Sequence, residues 1–291
     1  MQDIVRLDCI MMKTHSDHYS EKVIRRKSGW ISLNLREILE FGDLLYFLVW
    51  RDIKVRYKQT ALGVLWVILQ PLLAMILFTI IFGKLARVPS DGIPYPLFVY
   101  SGLLLWNFFS AALNNSGNSL IANSNLISKV YFPRLIIPAS ATLSGIPDFL
   151  ISSVIFMGIC IFYNATPQVA GIILIPFLLF LVIMVAIGCG LWLSALNVEY
   201  RDFQYVIPFL LQIWMFATPV IYPSTLFPEK YRWLLALNPM CGIIEAFRAI
   251  SIGHQQIKWE LLGISIVISS LIFVSGLLYF KKVERSFADV I

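Results

Sequence analysis

The chain has 291 residues, of which 58% are hydrophobic and only 14% charged, and its formal net charge is +6. This apolar content exceeds what one soluble core can bury, so the composition excludes an ordinary soluble domain and predicts an all-α membrane protein. The positive charge implies no nucleic-acid partner, because anionic lipid attracts Lys and Arg that flank membrane segments.

Residues 1–29 are polar and lack an apolar period, and we interpret them as a tail outside the membrane domain. From residue 30 to about residue 58, apolar and charged residues recur at helical spacing. Because basic and aromatic side chains are frequent in this stretch, we predict an amphipathic helix in the cytoplasmic membrane interface. A helix packed on its own chain is the alternative interpretation.

Six later segments are long and apolar enough to cross the membrane, which takes about 20 helical residues. They cover approximately residues 61–82, 97–120, 136–162, 170–196, 204–222 and 261–280. Lys and Arg are more frequent in the short segments on the side of the two termini. Since cationic flanks stay in the cytoplasm, we expect both termini to be cytoplasmic.

Two predicted spans carry polar residues on one helix face. The second span has Asn107, Ser110 and Asn114, and the third has a polar residue at every fourth position: Ser140, Ser144, Asp148 and Ser152. Such faces meet either another helix or a water-filled path. Asp148 needs a partner, because it lies ~18 Å into its span, where an unpaired carboxylate is costly.

Aromatic residues on the second and fifth spans are more numerous than anchoring at the membrane surface requires. Flat apolar rings can slide along the C–H faces of sugars without fixing any one hydroxyl. From these polar and aromatic residues we predict a translocation path that includes Trp106, Asn107, Phe109, Asp148, Trp214, Phe216 and Tyr222.

The segment before the last span, residues 223–258, is too long for a turn and too charged for two full spans. Within it, "LNPMCGIIEAFRAISIG" predicts a short helix with Asn238 as N-cap, Pro239 at the first helical position and Gly253 after the end. We expect a re-entrant hairpin that dips into the membrane from outside.

The sequence contains no G-x-x-x-x-G-K-[ST] phosphate loop, no G-x-S-x-G elbow and no H-E-x-x-H pair. We therefore expect no catalytic residues, no metal site and no cofactor in this chain. A transport protein is the preferred class over an enzyme.

Four stretches together resemble the permease subunits of ABC exporters for polysaccharides, the family of O-antigen, capsule and teichoic acid permeases. They are "RDIKVRYKQTALGVLWVILQPL" at 51–72, "VYFPRLIIP" at 130–138, "NVEYRDF" at 197–203 and "LNPMCGIIEAFR" at 237–248. The resemblance covers residues 30–291. It implies a homodimer of permeases with two copies of a separate ATPase, which holds ATP and Mg²⁺, in the bacterial inner membrane.

The same resemblance implies roles for individual residues. A short coupling helix between spans two and three would seat in the ATPase, with a second contact after span four: Lys129, Val130, Tyr131, Phe132, Pro133, Arg134, Tyr200, Arg201 and Asp202. The interface helix would bring cations to the lipid pyrophosphate: Arg51, Lys54, Arg56 and Lys58. The outer gate would contain Asn238, Pro239, Glu245 and Arg248.

The resemblance implies export of a lipid-linked glycan, with O-antigen as the first choice among the three glycans. A permease for a drug or small lipid with the same fold is the alternative. A membrane-embedded transferase is a third hypothesis, against which the missing catalytic motifs weigh.

Overall fold

A computed structural model describes residues 40–58, 63–228, 230, 232–253 and 256–284. The predicted polar tail, residues 1–29, and the first third of the predicted interface helix lie outside the described residues. All regular secondary structure within the described ranges is helical. The prediction of an all-α fold is thus confirmed for this part of the chain.

The helices are numbered α1 to α12 in chain order, and α2 continues into a π-helical turn at Thr79–Leu85. Their bounds are α1 Gly42–Lys58, α2 Gly63–Phe78, α3 Tyr95–Ala122, α4 Ser124–Lys129, α5 Ile136–Leu143, α6 Ile146–Phe162, α7 Val169–Ile172, α8 Leu174–Glu199, α9 Phe203–Ala217, α10 Arg232–Ala236, α11 Pro239–Ile252 and α12 Trp259–Val283.

Five stretches of the described chain are long and apolar enough to cross a membrane, and they match five of the six predicted spans. They are Gly63–Leu85, Tyr95–Ala122, Ile136–Phe162, Leu174–Glu199 and Trp259–Val283. The remaining predicted span, 204–222, is too long by five residues, because α9 ends at Ala217. Thr218 takes an extended conformation, which the following Pro219 favours. With 15 residues, α9 is only ~22 Å long.

The third predicted span is divided into α5 and α6 by a break at Ser144 and Gly145. Pro147 accounts for this break, since it provides no backbone N–H for a helical bond and its ring crowds the preceding turn. Proline is favoured at the start of a helix, and α6 accordingly begins beside Pro147. Asp148 thereby lies in the first turn of α6, where the helix dipole favours a carboxylate.

The long helix α3 forms the centre of the described bundle, and 18 of its 28 residues are buried. Its C-terminal end meets an apolar cluster that joins α4, α5, α8 and α12: Leu120, Ile127, Phe132, Leu135, Ile137, Leu191, Ala195, Val198 and Phe280. We call this the α4 end of the bundle. Phe41 and Leu44 also pack there, so the start of α1 lies at the same end.

The N-terminal end of α3, ~42 Å away along the helix, meets α11 and the loops around it. Tyr95 donates a hydrogen bond to the Ile221 carbonyl over 2.8 Å, and the Gln168 N–H donates to Ile250 over 2.9 Å. We call this the α11 end. The loop after α9 therefore lies at the end opposite to the loop before α9.

Helix α11 has the predicted termini. The Asn238 side chain accepts a hydrogen bond from the Met240 N–H, Pro239 is the first helical residue, and Gly253 follows the last turn. Gly253 has a φ of +76°, and a Cβ at this position would lie 1.8 Å from the Thr166 carbonyl oxygen. Only glycine fits both constraints without a shift of the backbone.

Candidate functional site

A cavity of about 560 Å³ lies between α2, α3, α6 and α9. Its wall combines aromatic side chains, Trp106, Phe108 and Phe149, with a set of polar ones. The polar residues that line it are Gln70, Asn107, Ser110, Asn114, Asp148, Ser152 and Gln212. A cavity with this wall can bind a molecule that has both C–H faces and hydroxyl groups.

The predicted polar face of α3 lines this cavity, because Asn107, Ser110 and Asn114 follow one another at helical spacing. These three residues border the cavity. The three serines on the polar face of the third predicted span lie in two different surroundings. Ser152 lines the cavity, whereas Ser140 and Ser144 are buried and donate to carbonyls one turn back in α5.

Asp148 has a partner, as predicted, and α1 provides it. The Arg56 guanidinium lies 2.5 Å from Oδ2, and the Tyr57 hydroxyl donates to Oδ1. About 31% of the Arg56 side chain and 26% of the Asp148 side chain are exposed. Burial, and then the bond to Asp148, raise the pKa of Tyr57, so the phenol keeps the proton that it donates.

The other predicted lipid-pyrophosphate cations on α1 lie in different surroundings. Arg51 binds Asp52 and also donates to the Asn123 side-chain oxygen over 2.9 Å, which ties α1 to the junction of α3 and α4. Lys54 lies 6.0 Å from the ring centroid of Trp50, and Lys58 is exposed. Among these four cations, Arg56 is the one bonded to a residue of the cavity wall.

Helix α1 has features of both interpretations that the sequence left open. Leu48 is buried against the rest of the chain, so α1 is packed on its own bundle. Its aromatic residues Tyr46, Phe47 and Trp50 are exposed, as a membrane-interface helix requires. The described part of α1 therefore presents one face to the protein and another to its surroundings.

The predicted coupling segment begins as a short helix, α4, and continues as an irregular stretch at 130–135. Val130 and Tyr131 are exposed, and Tyr131 retains 77% of its accessible surface. Phe132, which the resemblance assigned to the same ATPase contact, is not exposed: 5% of its side chain is accessible, and it packs inside the α4 end. Phe132 instead fastens the segment to its own chain.

Arg134 is also engaged within the chain. Its backbone N–H lies 3.3 Å from Oε1 of Glu284, and Nη1 donates to the Glu284 carbonyl over 2.7 Å. Lys281 binds the same Glu284 carboxylate over 2.8 Å. The segment after α4 is thereby tied to the C-terminal end of α12. Sequence patterns gave no signal for this contact, since 150 residues separate the two positions.

The second predicted ATPase contact, Tyr200, Arg201 and Asp202, is exposed in the loop between α8 and α9. Val198, at the end of α8, packs in the same cluster as Phe132. The structure therefore places both predicted contacts at the α4 end. Lys129 and Pro133 belong to the first predicted contact, the segment at the end of α4.

The predicted path residues do not all meet. Trp106, Asn107 and Asp148 line the cavity. Phe109 is fully buried, with its ring centroid 5.0 Å from that of Trp214, whose Nε1 donates to the N-cap Asn238 of α11. On the loop side of α9, Tyr222 donates to the Phe216 carbonyl. These four aromatic residues lie outside the cavity lining.

Two polar residues of the cavity wall were not predicted, Gln70 of α2 and Gln212 of α9. Gln70 is the single amide of an otherwise apolar helix, and that isolation was an available signal, whereas α9 contains a second amide, Gln204. Tyr57 was missed as well, because nothing in the sequence relates it to Asp148.

The predicted gate residues lie at the α11 end. Arg248 is only 3% exposed, and its guanidinium carbon lies 3.7 Å from the ring centroid of Phe98. It donates to the Ser101 hydroxyl and to the carbonyls of Pro219 and Val220, all within 3.3 Å. Glu245 pairs with Lys258 over 3.0 Å. Arg248 thus holds α11 to α3 and to the loop after α9.

Comparison of the sequence with known proteins identifies related transporters. Residues 43–252 match the family model of the ABC-2 type transporter. The chain is 30% identical over 249 residues to the O-antigen export system permease protein RfbA of Klebsiella pneumoniae, covering 86% of this chain and 95% of that protein. A protein of the same description from Myxococcus xanthus is 31% identical over 260 residues, covering 88% and 98%. The polysialic acid transport protein KpsM of Escherichia coli is 25% identical over 200 residues, covering 68% and 77%.

Proposed function

Because the chain belongs to the ABC-2 type transporter family, we propose that it is the permease subunit of an ABC exporter that moves a lipid-linked polysaccharide outward across the bacterial inner membrane. The observation that carries this proposal is the cavity between α2, α3, α6 and α9, whose wall combines aromatic rings with polar side chains. Among glycans, O-antigen is preferred, because the relatives with 30% identity or more carry that description.

The proposal assigns a direction to the bundle. The α4 end faces the cytoplasm together with both termini, as the distribution of Lys and Arg predicts. The chain then crosses the membrane six times, with α9 and the residues after Ala217 together forming the fifth crossing. The π-helical turn at the end of α2 and the loops around α11 then lie on the outer side, where α11 would be the gate.

Energy for export would come from a separate ABC ATPase, which holds ATP and Mg²⁺, since this sequence has no phosphate loop. We assign the contact to the exposed side chains of the α4 end, chiefly Val130, Tyr131 and Tyr200. Two permease chains and two ATPase chains would form the transporter. The apolar surface of α2, in which Pro71 is the buried residue, is available to lipid or to the second permease.

The cations of α1 would receive the pyrophosphate of the glycan lipid. Arg56 is the best placed of them, because it is bonded to the cavity residue Asp148. A glycan that follows the lipid would then enter the cavity beside Asn107 and Trp106.

Deletion of the gene in the bacterium that carries it tests the proposed function. Cells without the chain should lose surface polysaccharide and accumulate the lipid-linked glycan on the cytoplasmic side, and a plasmid copy should restore export. Normal surface polysaccharide in the deletion strain would overturn the proposal. Loss of resistance to a drug with unchanged polysaccharide would favour the small-molecule permease instead.

A further inference from the structure

Asp148 joins the cavity wall to α1 through both of its carboxylate oxygens. Oδ2 accepts from Arg56 and Oδ1 accepts from Tyr57, and these donors are neighbours in the last turn of α1. The two contacts connect positions more than 90 residues apart in the chain. The Asp148 carboxylate, which belongs to the cavity wall, thus accepts hydrogen bonds from two donors of α1.

The donor pair suits a phosphate oxygen as well as a carboxylate. A guanidinium forms charge-assisted hydrogen bonds to either oxyanion, and a neutral phenol adds one more donor. Tyr57 retains its proton, because burial and the neighbouring Asp148 raise its pKa. A phosphate group carries at least the charge of a carboxylate and offers more acceptor oxygens, so it can compete for the same two donors.

The pair between Arg56 and Asp148 is accessible enough to exchange. Between a quarter and a third of each side chain is exposed, and the carboxylate borders a cavity rather than packed side chains. The cavity has polar walls and room for water, so water can solvate the Asp148 carboxylate when the pair opens. Opening of the pair therefore requires far less free energy than the opening of a fully buried pair.

We propose that Arg56 and Tyr57 form an oxyanion site that Asp148 occupies while no substrate is bound, and that a phosphate group of the lipid-linked substrate displaces it. This inference rests on the proposed function and adds a regulatory step to it. Displacement removes the described contact of α6 with the end of α1 and leaves a carboxylate on the cavity wall. Binding of phosphate to Arg56 and Tyr57 thereby releases α6, which forms one wall of the cavity, from the end of α1.

The test measures binding of dodecyl pyrophosphate to the purified full-length permease in detergent, with dodecanol as the ligand without charge. Asp148→Asn removes the competing charge and keeps an acceptor for Tyr57, so we expect roughly three- to tenfold tighter binding. Arg56→Gln should weaken binding, and the gain from Asp148→Asn should vanish in the double variant. Tyr57→Phe should weaken binding less than Arg56→Gln does.

Asp43→Asn provides the matched control, because it removes the same charge from an exposed position at the other end of α1. It should leave the affinity unchanged. An equal gain from Asp43→Asn, or wild-type affinity for Asp148→Asn, would overturn the exchange. Tight binding of dodecanol would also overturn it, since the alkyl chain alone would then account for binding.

Failure of the exchange and failure of the proposed function are distinguishable. If Asp148→Asn binds as the wild type does while deletion of the gene abolishes export, the exchange is wrong and the permease assignment stands. If deletion leaves export intact, the assignment is wrong whatever the binding shows. Circular dichroism and gel filtration of each variant establish that altered binding does not reflect unfolding.

Discussion

The α11 end and the cavity wall hold a cation in opposite ways. At the α11 end, Arg248 is buried against Phe98 and satisfied by one hydroxyl and two carbonyls. At the cavity, Arg56 is about one third exposed and bonded to the carboxylate of Asp148. Neutral, buried partners fix a cation in place, whereas an accessible charged partner can be exchanged for another anion.

The same contrast holds for apolar groups. Nearly every residue of α11 is buried, so this helix has its contacts within the chain. The α4 end leaves Val130, Tyr131 and Tyr200 exposed. We infer that α11 itself serves stability, whereas these exposed side chains of the α4 end serve contacts with other molecules. Four sets of substitutions test this difference.

Removal of the fixed cation should have the largest effect. Arg248→Ala leaves the Ser101 hydroxyl and two carbonyls buried without their donor, and each such loss costs roughly 1–3 kcal/mol. We expect about 4 kcal/mol lower stability, measured by thermal unfolding in detergent. Lys84→Ala, at an exposed cation, is the control and should be neutral. Wild-type stability of Arg248→Ala would show that Arg248 does not stabilise the packing of α11.

Two neighbouring aromatic residues at the α4 end should behave differently. Phe132→Ala removes a buried ring and should destabilise the permease by about 3 kcal/mol. Tyr131→Ala removes an exposed ring, so stability should stay unchanged while capture of the ATPase by the purified permease falls by about tenfold. Equal loss of stability in both variants would contradict the assignment of Tyr131 to a partner contact.

The accessible pair should matter for export more than for folding. Asp148→Leu removes the acceptor of Arg56 and Tyr57, and we expect about tenfold lower export at matched membrane levels, in line with ~1.5 kcal/mol for bonds to a charged group. Asp148→Asn keeps one strong acceptor and should retain much of the export. Surface polysaccharide in complemented deletion cells measures both. Wild-type export by the leucine variant would make this carboxylate incidental.

The smallest effect on stability is expected for the ion pair between Lys258 and Glu245. Nearly half of the Lys258 side chain is exposed but only 10% of the Glu245 side chain, so Lys258→Ala leaves a largely covered carboxylate without this partner. We expect about 1 kcal/mol lower stability, and added salt should reduce the difference. A loss as large as that for Arg248→Ala would mean that the α11 end depends on its surface charges instead of its buried cation.

Local sequence signals predicted much of this fold. Hydrophobic length located five long helices, and cap residues located both termini of α11. The break beside Pro147 had a visible signal, because proline disfavours continuation of a helix, but the apolar run around it suggested one span. The early end of α9 likewise follows from Pro219, which favours an extended Thr218.

Tertiary contacts account for what the sequence could not predict. Helical spacing indicated that Asn107, Ser110 and Asn114 share a face, and this face lines the cavity. Spacing could not identify Arg56 and Tyr57 as the partners of Asp148, since packing of two distant helices decides that contact. For the same reason, the aromatic ring of Phe132 appeared available to a partner although its own chain covers it.

Glycan transport across isolated membranes tests whether this chain is an export permease. Inverted membrane vesicles from the bacterium expose the cytoplasmic leaflet, so lipid-linked glycan on that face is open to a glycan-cleaving enzyme. With the wild-type chain, addition of ATP should make the glycan resistant to cleavage, and vesicles from the deletion strain should show no such protection. Equal protection without this chain, or without ATP, would contradict the account.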